Sequence, residues 1–406
     1  MKVAGRKKYM IRCLAVALSM SLVFSGCGKR SKRKNGGGLS SFWQEASTVE
    51  MFGKLMERSF PASEEYVKLT GRTGENNDIR WLIHSASKVE FRMKGTKASI
   101  VIRGDGAISG SQTTKARFAV YVNGTRTIDH IVTKLEETLE IFSSDEEQDV
   151  EISIVKLSEA SCSVFGIKSI DVTASKDIEP LPDKRMKIEF IGDSITCGYG
   201  VDDENRDHHF STGIEDATKT YAYKTAEALD ADCSFFSYSG YGIISGYTDN
   251  GQKVEYQRIP DYYEILGTNS GSADSVLDLS IPWDFSKFVP DQIVLNLGSN
   301  DETYVGEDAG KREEFTAAYV DFLKMIRKNN PSAHITASLG IMGNGLYPCI
   351  EEAVKRYRSE TGDMDISTLE FTPQDGSTGF AADWHPTEAT HAIAAEELTA
   401  HIRSLP

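Results

Sequence analysis

The sequence of 406 residues predicts two folded domains, a β-sandwich followed by an α/β domain with a parallel sheet. Between about residues 76 and 176, apolar and polar residues alternate with a period of two, which is typical of strands that bury one face. From Met186 onward, apolar segments alternate with stretches of helical periodicity, as in a parallel sheet covered by helices. Pro180 and Pro182 favour an extended linker between these two patterns.

Six segments of the first domain carry the strand pattern, and the third leads into Asn123-Gly124, a strong hairpin turn. In the second domain, four apolar segments predict strands and three longer stretches predict helices. The strand segments are Val89–Met93, Ala98–Arg103, Phe118–Val122, Thr138–Phe142, Val150–Val155 and Phe165–Val172, then Ile188–Ile191, Cys233–Tyr238, Gln292–Leu297 and Ile335–Leu339. The helical stretches are Thr220–Ala231, Glu313–Lys328 and Pro386–Ile402.

The N-terminus carries the features of a targeting segment. Basic residues up to Arg12 precede an apolar run, Cys13 to Phe24, that is too short to span a bilayer comfortably. Small residues before Cys27 resemble a bacterial lipoprotein signal, which predicts a signal peptide over 1–27 with Cys27 lipidated. Phe24 stands where such signals usually carry Leu, and an ordinary secretory signal is the alternative. Residues 28–60 then form a tether, and the protein is expected outside the cytoplasm, touching the membrane only through its anchor.

The charge of the chain argues against polyanionic partners. The formal net charge is −15, but the first 34 residues contribute +10 with no acid, so the remainder carries −15 − 10 = −25. An acidic body of this kind excludes nucleic acid and an anionic membrane surface as its partner, and it is compatible with a neutral substrate such as a sugar polymer.

No metal site is predicted. The four cysteines beyond the N-terminal segment show no CxxC spacing, so mostly buried thiols are expected, although any disulfide pairing stays open. The adjacent His208 and His209 suggest a metal at first sight, but neighbouring side chains usually point apart, so a solvated loop is favoured. The four cysteines are Cys162, Cys197, Cys233 and Cys349.

Three segments carry groups that suit nucleophilic catalysis. Ser194 opens a helix directly after an apolar strand, and its alternative role is that of a helix N-cap. Asn300, after a later strand, offers a side-chain amide to a developing oxyanion, and His385 near the C-terminus offers a base. Loops at the carboxyl ends of parallel strands converge on one crevice, so these groups are expected to meet there.

The segment Gly192-Asp193-Ser194-Ile195-Thr196, together with Gly298-Ser299-Asn300-Asp301, resembles the SGNH hydrolases, also called GDSL-type esterases. The resemblance implies a flavodoxin-like three-layer α/β/α fold over residues 185–406, with Ser194 as nucleophile and His385 as base. It also implies an oxyanion hole made by the backbone N–H groups of Ser194 and Gly240 and the amide of Asn300. Gly240 lies in Ser237-Tyr238-Ser239-Gly240-Tyr241-Gly242, where the alternative is a plain glycine-rich turn.

The segment around the base departs from the commonest SGNH pattern. Family members usually carry Asp three residues before the His, and that position is Ala382 here. Asp383 stands two residues before His385 and is named as a candidate catalytic residue that could orient the imidazole. A backbone carbonyl could do so instead, which leaves a Ser–His dyad open.

A β-sandwich followed by an SGNH domain resembles carbohydrate esterase family 2, and residues 61–178 resemble its jelly roll. Segments that carry the resemblance are Ala116–Gly124, Ile152–Glu159, Ser237–Gly242 and Asp383–Pro386. The resemblance implies an enzyme that needs no metal or organic cofactor and removes acetyl groups from plant-wall polysaccharides or oligosaccharides such as xylan and glucomannan. We expect the protein to be a monomer. Trp384 and Trp283 are candidates for stacking on sugar rings, with filling of the core as the alternative.

Two other functions stay open on the sequence alone. One is a non-catalytic surface lipoprotein that binds glycans, and the other is an esterase acting on peptidoglycan O-acetyl groups or lipids. The presence of Ser194, Gly240, Asn300 and His385 together favours catalysis, since a residual site should have lost at least one of them. A lipid substrate would favour a long apolar lid, which the sequence does not suggest.

Overall fold

The computed structural model describes residues 54–405, so the predicted signal peptide, the lipidation site Cys27 and most of the predicted tether lie outside the described residues. Among the helices of this range, none combines the length and the apolar character needed to cross a membrane. The described chain forms an N-terminal β domain and a C-terminal α/β domain.

The β domain is one hydrogen-bonded network of ten strands around an apolar core. Its strands are β1 (Met56–Phe60), β2 (Lys68–Thr70), β3 (Thr73–Asn76), β4 (Ile79–Leu82), β5 (Lys88–Gly104), β6 (Arg117–Val122), β7 (Thr125–Ile131), β8 (Glu136–Lys156), β9 (Phe165–Ala174) and β10 (Glu179–Pro180). The long strands β5 and β8 each unite two of the predicted segments and pair antiparallel along their length. Register shifts between Gly95 and Ser99 interrupt this ladder, and such irregularities let a strand bend around a core.

The predicted hairpin turn is confirmed. β6 and β7 pair antiparallel, with Val122 opposite Thr125. Asn123 and Gly124 between them adopt φ values of 49° and 77°, which is the left-handed pair that a tight two-residue hairpin requires.

The β domain extends beyond the predicted bounds of 61 and 178. β1 pairs with β9, from Met56 opposite Ala174 to Phe60 opposite Ile170, so Met56–Phe60 belongs to the domain and not to the tether. β10 pairs with β5 and lies within the proline-containing linker segment. Both strands are short and at least half of their residues are exposed, so their sequences carry no clear period of two.

The α/β domain holds a five-stranded parallel sheet, in which the second strand along the chain lies at one edge and is followed by the first, third, fourth and fifth. The strands are β11 (Met186–Gly192), β12 (Ala231–Ser237), β13 (Gln292–Asn296), β14 (His334–Leu339) and β15 (Ile366–Glu370). The helices are α1 (Ser194–Cys197), α2 (Tyr221–Ala228), α3 (Ser299–Val305), α4 (Ala309–Asn329), α5 (Tyr347–Thr361) and α6 (Glu388–Ser404). This strand order is flavodoxin-like, and it places a crevice at the carboxyl ends of the central strands.

Helices cover both faces of this sheet and complete three layers. Phe315 of α4 and Ile350 of α5 pack in one apolar core with Leu295. Tyr221 of α2 and Leu398 of α6 pack in the other. The sequence patterns predicted α2, α4 and α6, but not α5 or β15.

The two domains pack directly against each other. Trp81 and Ile83 of the β domain belong to the same buried cluster as residues of the α/β sheet. The ammonium of Lys68 contacts the carboxylate of Asp232 across the boundary at 2.6 Å, with both side chains buried. The α/β domain is therefore completed by side chains from the β domain.

The expectation of mostly buried thiols is confirmed for the described range. All four of its cysteines are free, Cys162 is partly exposed, and the other three are buried.

Candidate active site

Ser194 and His385 meet at the carboxyl end of strand β11. Ser194 is the first residue of the single-turn helix α1, and the carboxylate of Asp193 caps this turn by accepting the N–H of Ile195 at 3.0 Å. The Oγ of Ser194 lies 2.9 Å from Nε2 of His385, and each residue is only 8% exposed. The predicted nucleophile and base are thus in hydrogen-bond contact.

The other ring nitrogen of His385 faces the main chain. Its Nδ1 lies 3.2 Å from the carbonyl oxygens of both Ala382 and Asp383. Because carbonyl oxygens only accept, Nδ1 carries the hydrogen, and Nε2 presents its lone pair to Ser194. Burial lowers the pKa of His385 to about 4, so the imidazole is neutral and able to accept a proton at neutral pH.

The expectation that the Asp383 carboxylate orients His385 is corrected. This carboxylate accepts the hydroxyl of Tyr199 at 2.6 Å and lies 2.8 Å from Nδ1 of His209, away from the His385 ring. Asp383 and Trp384 adopt left-handed φ values of 49° and 64°. The turn that these two residues make presents main-chain carbonyls to the imidazole. In the commonest SGNH pattern, an aspartate side chain occupies this role.

Tyr199 is a residue of the site that the sequence did not reveal. Its ring stacks on His385 with 3.9 Å between centroids and 18° between planes. Because its hydroxyl donates to Asp383, that carboxylate is connected to the base through Tyr199. No motif or spacing marks Tyr199, which follows α1 in an irregular segment.

The adjacent histidines occupy a loop and bind different carboxylates, in line with the favoured interpretation. Nδ1 of His208 lies 2.8 Å from Asp203, and Nδ1 of His209 lies 2.8 Å from Asp383. The side chain of His209 is 88% exposed. The two imidazoles do not converge on one site.

Three candidate oxyanion donors lie around Ser194. Within residues 54–405, the N–H groups of Ser194 and Gly240 have no hydrogen-bond acceptor. Gly240 has a φ of 81°, which is readily adopted only by glycine. The amide nitrogen of Asn300 donates to the carbonyl of Tyr241 at 2.8 Å and to the carboxylate of Asp193 at 3.3 Å, so it joins the Gly240 segment to the start of α1.

Residues 239–245, called the oxyanion loop below, are held by Asp301. The buried carboxylate of Asp301 accepts the N–H groups of Ile243, Ile244 and Ser245 at 2.7–3.1 Å. A Cβ at Gly242 would collide with this carboxylate, which explains the glycine. Burial raises the pKa of Asp301 to about 6, although the three N–H groups favour its charged form.

The two tryptophans predicted to stack on sugar differ in exposure. Trp384 is 49% exposed next to His385, with the ring of Phe380 at 5.1 Å and the guanidinium of Arg206 at 4.1 Å. Trp283 is 8% exposed and packs in the core, where its ring lies 5.3 Å from the buried guanidinium of Arg72. The expectation for Trp283 is therefore corrected, since its surface is covered by the protein itself.

Two family models match the two domains. The model described as carbohydrate esterase 2 N-terminal matches residues 69–182, and that of the GDSL-like lipase/acylhydrolase family matches residues 190–393. The solved structure of a family two carbohydrate esterase from Clostridium thermocellum in complex with cellohexaose is 31% identical, with a TM-score of 0.70 over 83% of this chain and 98% of that chain. The chain belongs to carbohydrate esterase family 2.

Other similar proteins extend this comparison. An acetyl xylan esterase, Est2A, from the rumen bacterium Butyrivibrio proteoclasticus has a TM-score of 0.76 at 25% identity, covering 86% of this chain and 98% of that one. The cellulase/esterase CelE of Acetivibrio thermocellus is 33% identical over 325 residues, which are 79% of this chain but only 37% of CelE. An acetylxylan esterase / glucomannan deacetylase of Cellvibrio japonicus is 26% identical over 360 residues, 85% of this chain and 90% of that protein.

Proposed function

We propose that this family member is a carbohydrate esterase that removes O-acetyl groups from plant-wall polysaccharides such as xylan and glucomannan. The observation that carries the proposal is the 2.9 Å contact between Ser194 Oγ and His385 Nε2, beside the N–H of Ser194, which has no acceptor within residues 54–405. A nucleophile, a neutral base and oxyanion donors in one place are the requirements of acyl transfer.

The acylation step follows from the orientation of His385. Ser194 Oγ attacks the acetyl carbonyl carbon while its proton passes to Nε2 of His385, so the carbonyl oxygen becomes an oxyanion. The N–H groups of Ser194 and Gly240 stabilise this negative charge, and the amide of Asn300 adds a third donor by exchanging one of its two protein acceptors for the oxyanion. The carbon–oxygen bond to the sugar then breaks, and His385 returns the proton to the departing sugar hydroxyl, leaving an acetyl group on Ser194.

Deacylation repeats these steps with water in place of the serine. His385 accepts a proton from water, the hydroxide attacks the acetyl carbon, and the proton returns to Ser194 as acetate leaves. The imidazolium that forms in each half-reaction is stabilised by the carbonyl oxygens of Ala382 and Asp383. We therefore infer a Ser–His dyad in which main-chain carbonyls replace the third residue of a triad.

The substrate class rests on the relatives and on the rim of the site. The relative from Cellvibrio japonicus is named for acetylxylan and glucomannan, and the neighbour from Clostridium thermocellum was solved with cellohexaose. The exposed ring of Trp384 next to His385 offers an apolar face on which a pyranose can stack. The net charge of −15 also suits a neutral chain of sugars better than a polyanion.

We also propose that the protein acts outside the cytoplasm as a monomer, anchored through Cys27. The proposal rests on the sequence of the N-terminus, where a basic segment and a short apolar run precede Ser25-Gly26-Cys27. The basic residues that follow Cys27 would also be attracted to an anionic membrane surface, whereas the acidic remainder of the chain would be repelled by it.

The decisive test is acetate release from acetylated xylan and acetylated glucomannan by the purified protein, with Ser194→Ala as the matched control. Release by the wild type alone would establish both the reaction and its nucleophile. Activity on p-nitrophenyl acetate without release from either polymer would retain the chemistry and reject the substrate. Inactivity on all three, with binding of the polymers retained, would replace the proposal by a glycan-binding function.

A further inference from the structure

A buried carboxylate of the β domain reaches the catalytic half of the molecule. Glu159 follows β8 in the segment that leads to β9, and it is 2% exposed. The main chain of this segment is fixed by the buried ammonium of Lys156, which donates to the carbonyl of Glu159 at 3.0 Å. The position of the Glu159 side chain is therefore determined by the β domain.

The carboxylate of Glu159 binds the oxyanion loop at the start of that loop. Its Oε2 accepts the N–H of Ser239 at 2.9 Å. Ser239 directly precedes Gly240, so fixing the Ser239 amide restricts where the next N–H along the chain can point. Asp301 holds the far end of the same loop, so the loop is fixed at both ends by buried carboxylates from different domains.

The surroundings of Glu159 also connect it to the helix of the nucleophile. Its Oε2 lies 4.0 Å from the thiol of Cys197, the last residue of α1, which begins with Ser194. Its own N–H donates to the carboxylate of Glu215 at 2.9 Å. Burial and the charge of Glu159 raise the pKa of Glu215.

We propose that Glu159 is a positioning residue for the oxyanion hole, so that the esterase site is complete only when the β domain is in place. This inference rests on the proposed ester hydrolysis, and it assigns the β domain a part in the reaction besides any contact with glycan. Glu159 touches no reacting atom, and it acts through the Ser239–Gly240 segment.

The test compares Glu159→Gln and Glu159→Ala with the wild type in the full chain, using p-nitrophenyl acetate and measuring kcat and KM separately. A misdirected oxyanion donor affects the transition state more than substrate binding, so we expect kcat to fall about 10-fold in Glu159→Gln and about 100-fold in Glu159→Ala, with KM nearly constant. Glutamine keeps an acceptor oxygen in the same place, and its smaller effect is the rescue that a positioning role predicts.

Asp202→Asn is the matched control. Asp202 is also a carboxylate at the boundary of the two domains, but it pairs with Arg117 of the β domain and with Lys219, and it makes no contact with the oxyanion loop. We expect this variant to keep its kcat. An equal loss in Asp202→Asn would attribute the effect to general loosening of the boundary and would overturn the inference.

Two further outcomes decide the question. Thermal unfolding establishes which variants are folded. If Glu159→Gln and Glu159→Ala are both folded and each keeps a kcat within twofold of the wild type, the proposed positioning role of Glu159 is also overturned. If Glu159→Ala does not fold, the nearly isosteric Glu159→Gln decides alone. A wild type no faster than Ser194→Ala on this ester would instead remove the proposed function, and the inference with it.

Discussion

The two sides of Ser194 are organised by different kinds of contacts. On the base side, His385 is held by the carbonyl oxygens of Ala382 and Asp383 and by the stacked ring of Tyr199. On the oxyanion side, the buried carboxylates of Asp301 and Glu159 hold the main chain of the oxyanion loop. On the base side, main-chain carbonyls and one aromatic ring hold a side chain, whereas on the oxyanion side buried carboxylates hold the main chain.

This difference determines which substitutions can damage each side. Carbonyl oxygens persist in every variant, so on the base side we expect the imidazole to be the side chain that the reaction needs most. Removing a buried carboxylate leaves N–H groups without an acceptor, which costs about 1–3 kcal/mol per group. The oxyanion side should therefore be sensitive at residues that touch no substrate, and the base side should tolerate changes at the neighbours of His385.

The largest effect is expected for His385→Ala. The variant has no group that can take the Ser194 proton, so kcat on p-nitrophenyl acetate should fall by about 10⁴-fold or more. His401→Ala serves as the control, because this half-buried imidazole of α6 binds Ser367 and lies outside the site. A loss below 10-fold in a folded His385→Ala would contradict the assignment of the base.

An intermediate effect is expected for Asn300→Ala. Its amide nitrogen donates to the carbonyl of Tyr241 in the oxyanion loop at 2.8 Å, so the variant loses the proposed oxyanion donor and a support of the loop. We expect kcat to fall roughly 100-fold, at the lower end for such donors, because two main-chain N–H groups remain. Asn329→Ala is matched, since that amide donates to Glu264 and Met325 on the surface of α4. If Asn300→Ala is folded and has the same kcat as Asn329→Ala, the main-chain N–H groups alone are sufficient to stabilise the oxyanion.

Features that depend on local patterns could be predicted from the sequence. The strand-turn-helix around Ser194, the hairpin at Asn123-Gly124 and the central strands of the parallel sheet each follow from neighbouring residues. The residues that meet at the site, Ser194, Asn300 and His385, stand in recognisable segments at the carboxyl ends of strands, where an α/β sheet gathers its loops.

Features that depend on contacts between distant segments could not be predicted. Glu159 lies 80 residues from Ser239 in sequence, and its local pattern is that of a polar residue after a strand. Tyr199 and Trp283 have ordinary neighbours, and only the tertiary structure places one against His385 and the other beside the buried Arg72. The same limit applies to Asp383, because its left-handed φ, which decides where its carboxylate points, leaves no signal in the sequence.

The smallest effect is expected for Asp383→Asn, and the pH profile of kcat/KM is the measurement that sharpens the comparison. His385 must be neutral to accept a proton, and its pKa is about 4, so titration of the base alone would keep wild-type activity level from neutral pH down to about pH 5, with a fall through about pH 4. The charge of Asp383 raises the pKa of His385 only as a minor cause. Removing the charge of Asp383 should therefore shift the acid limb of the pH profile slightly to lower pH. It should reduce kcat by less than about 10-fold, whereas loss of the aspartate of a true triad reduces kcat by about 10⁴-fold.

Two results would change this account of the base side. A loss of kcat in Asp383→Asn as deep as that in His385→Ala would restore a catalytic role to the carboxylate and remove the dyad. An acid limb at pH 6–7 in the wild type would place the controlling titration on the oxyanion side, since burial raises the pKa of Asp301 to about 6 and that of Asp193 to about 7. Protonation of Asp301 weakens the hydrogen bonds that its carboxylate accepts from the N–H groups of the oxyanion loop. An acid limb at pH 6–7 would therefore mean that acid first disorders this loop, before it protonates the imidazole.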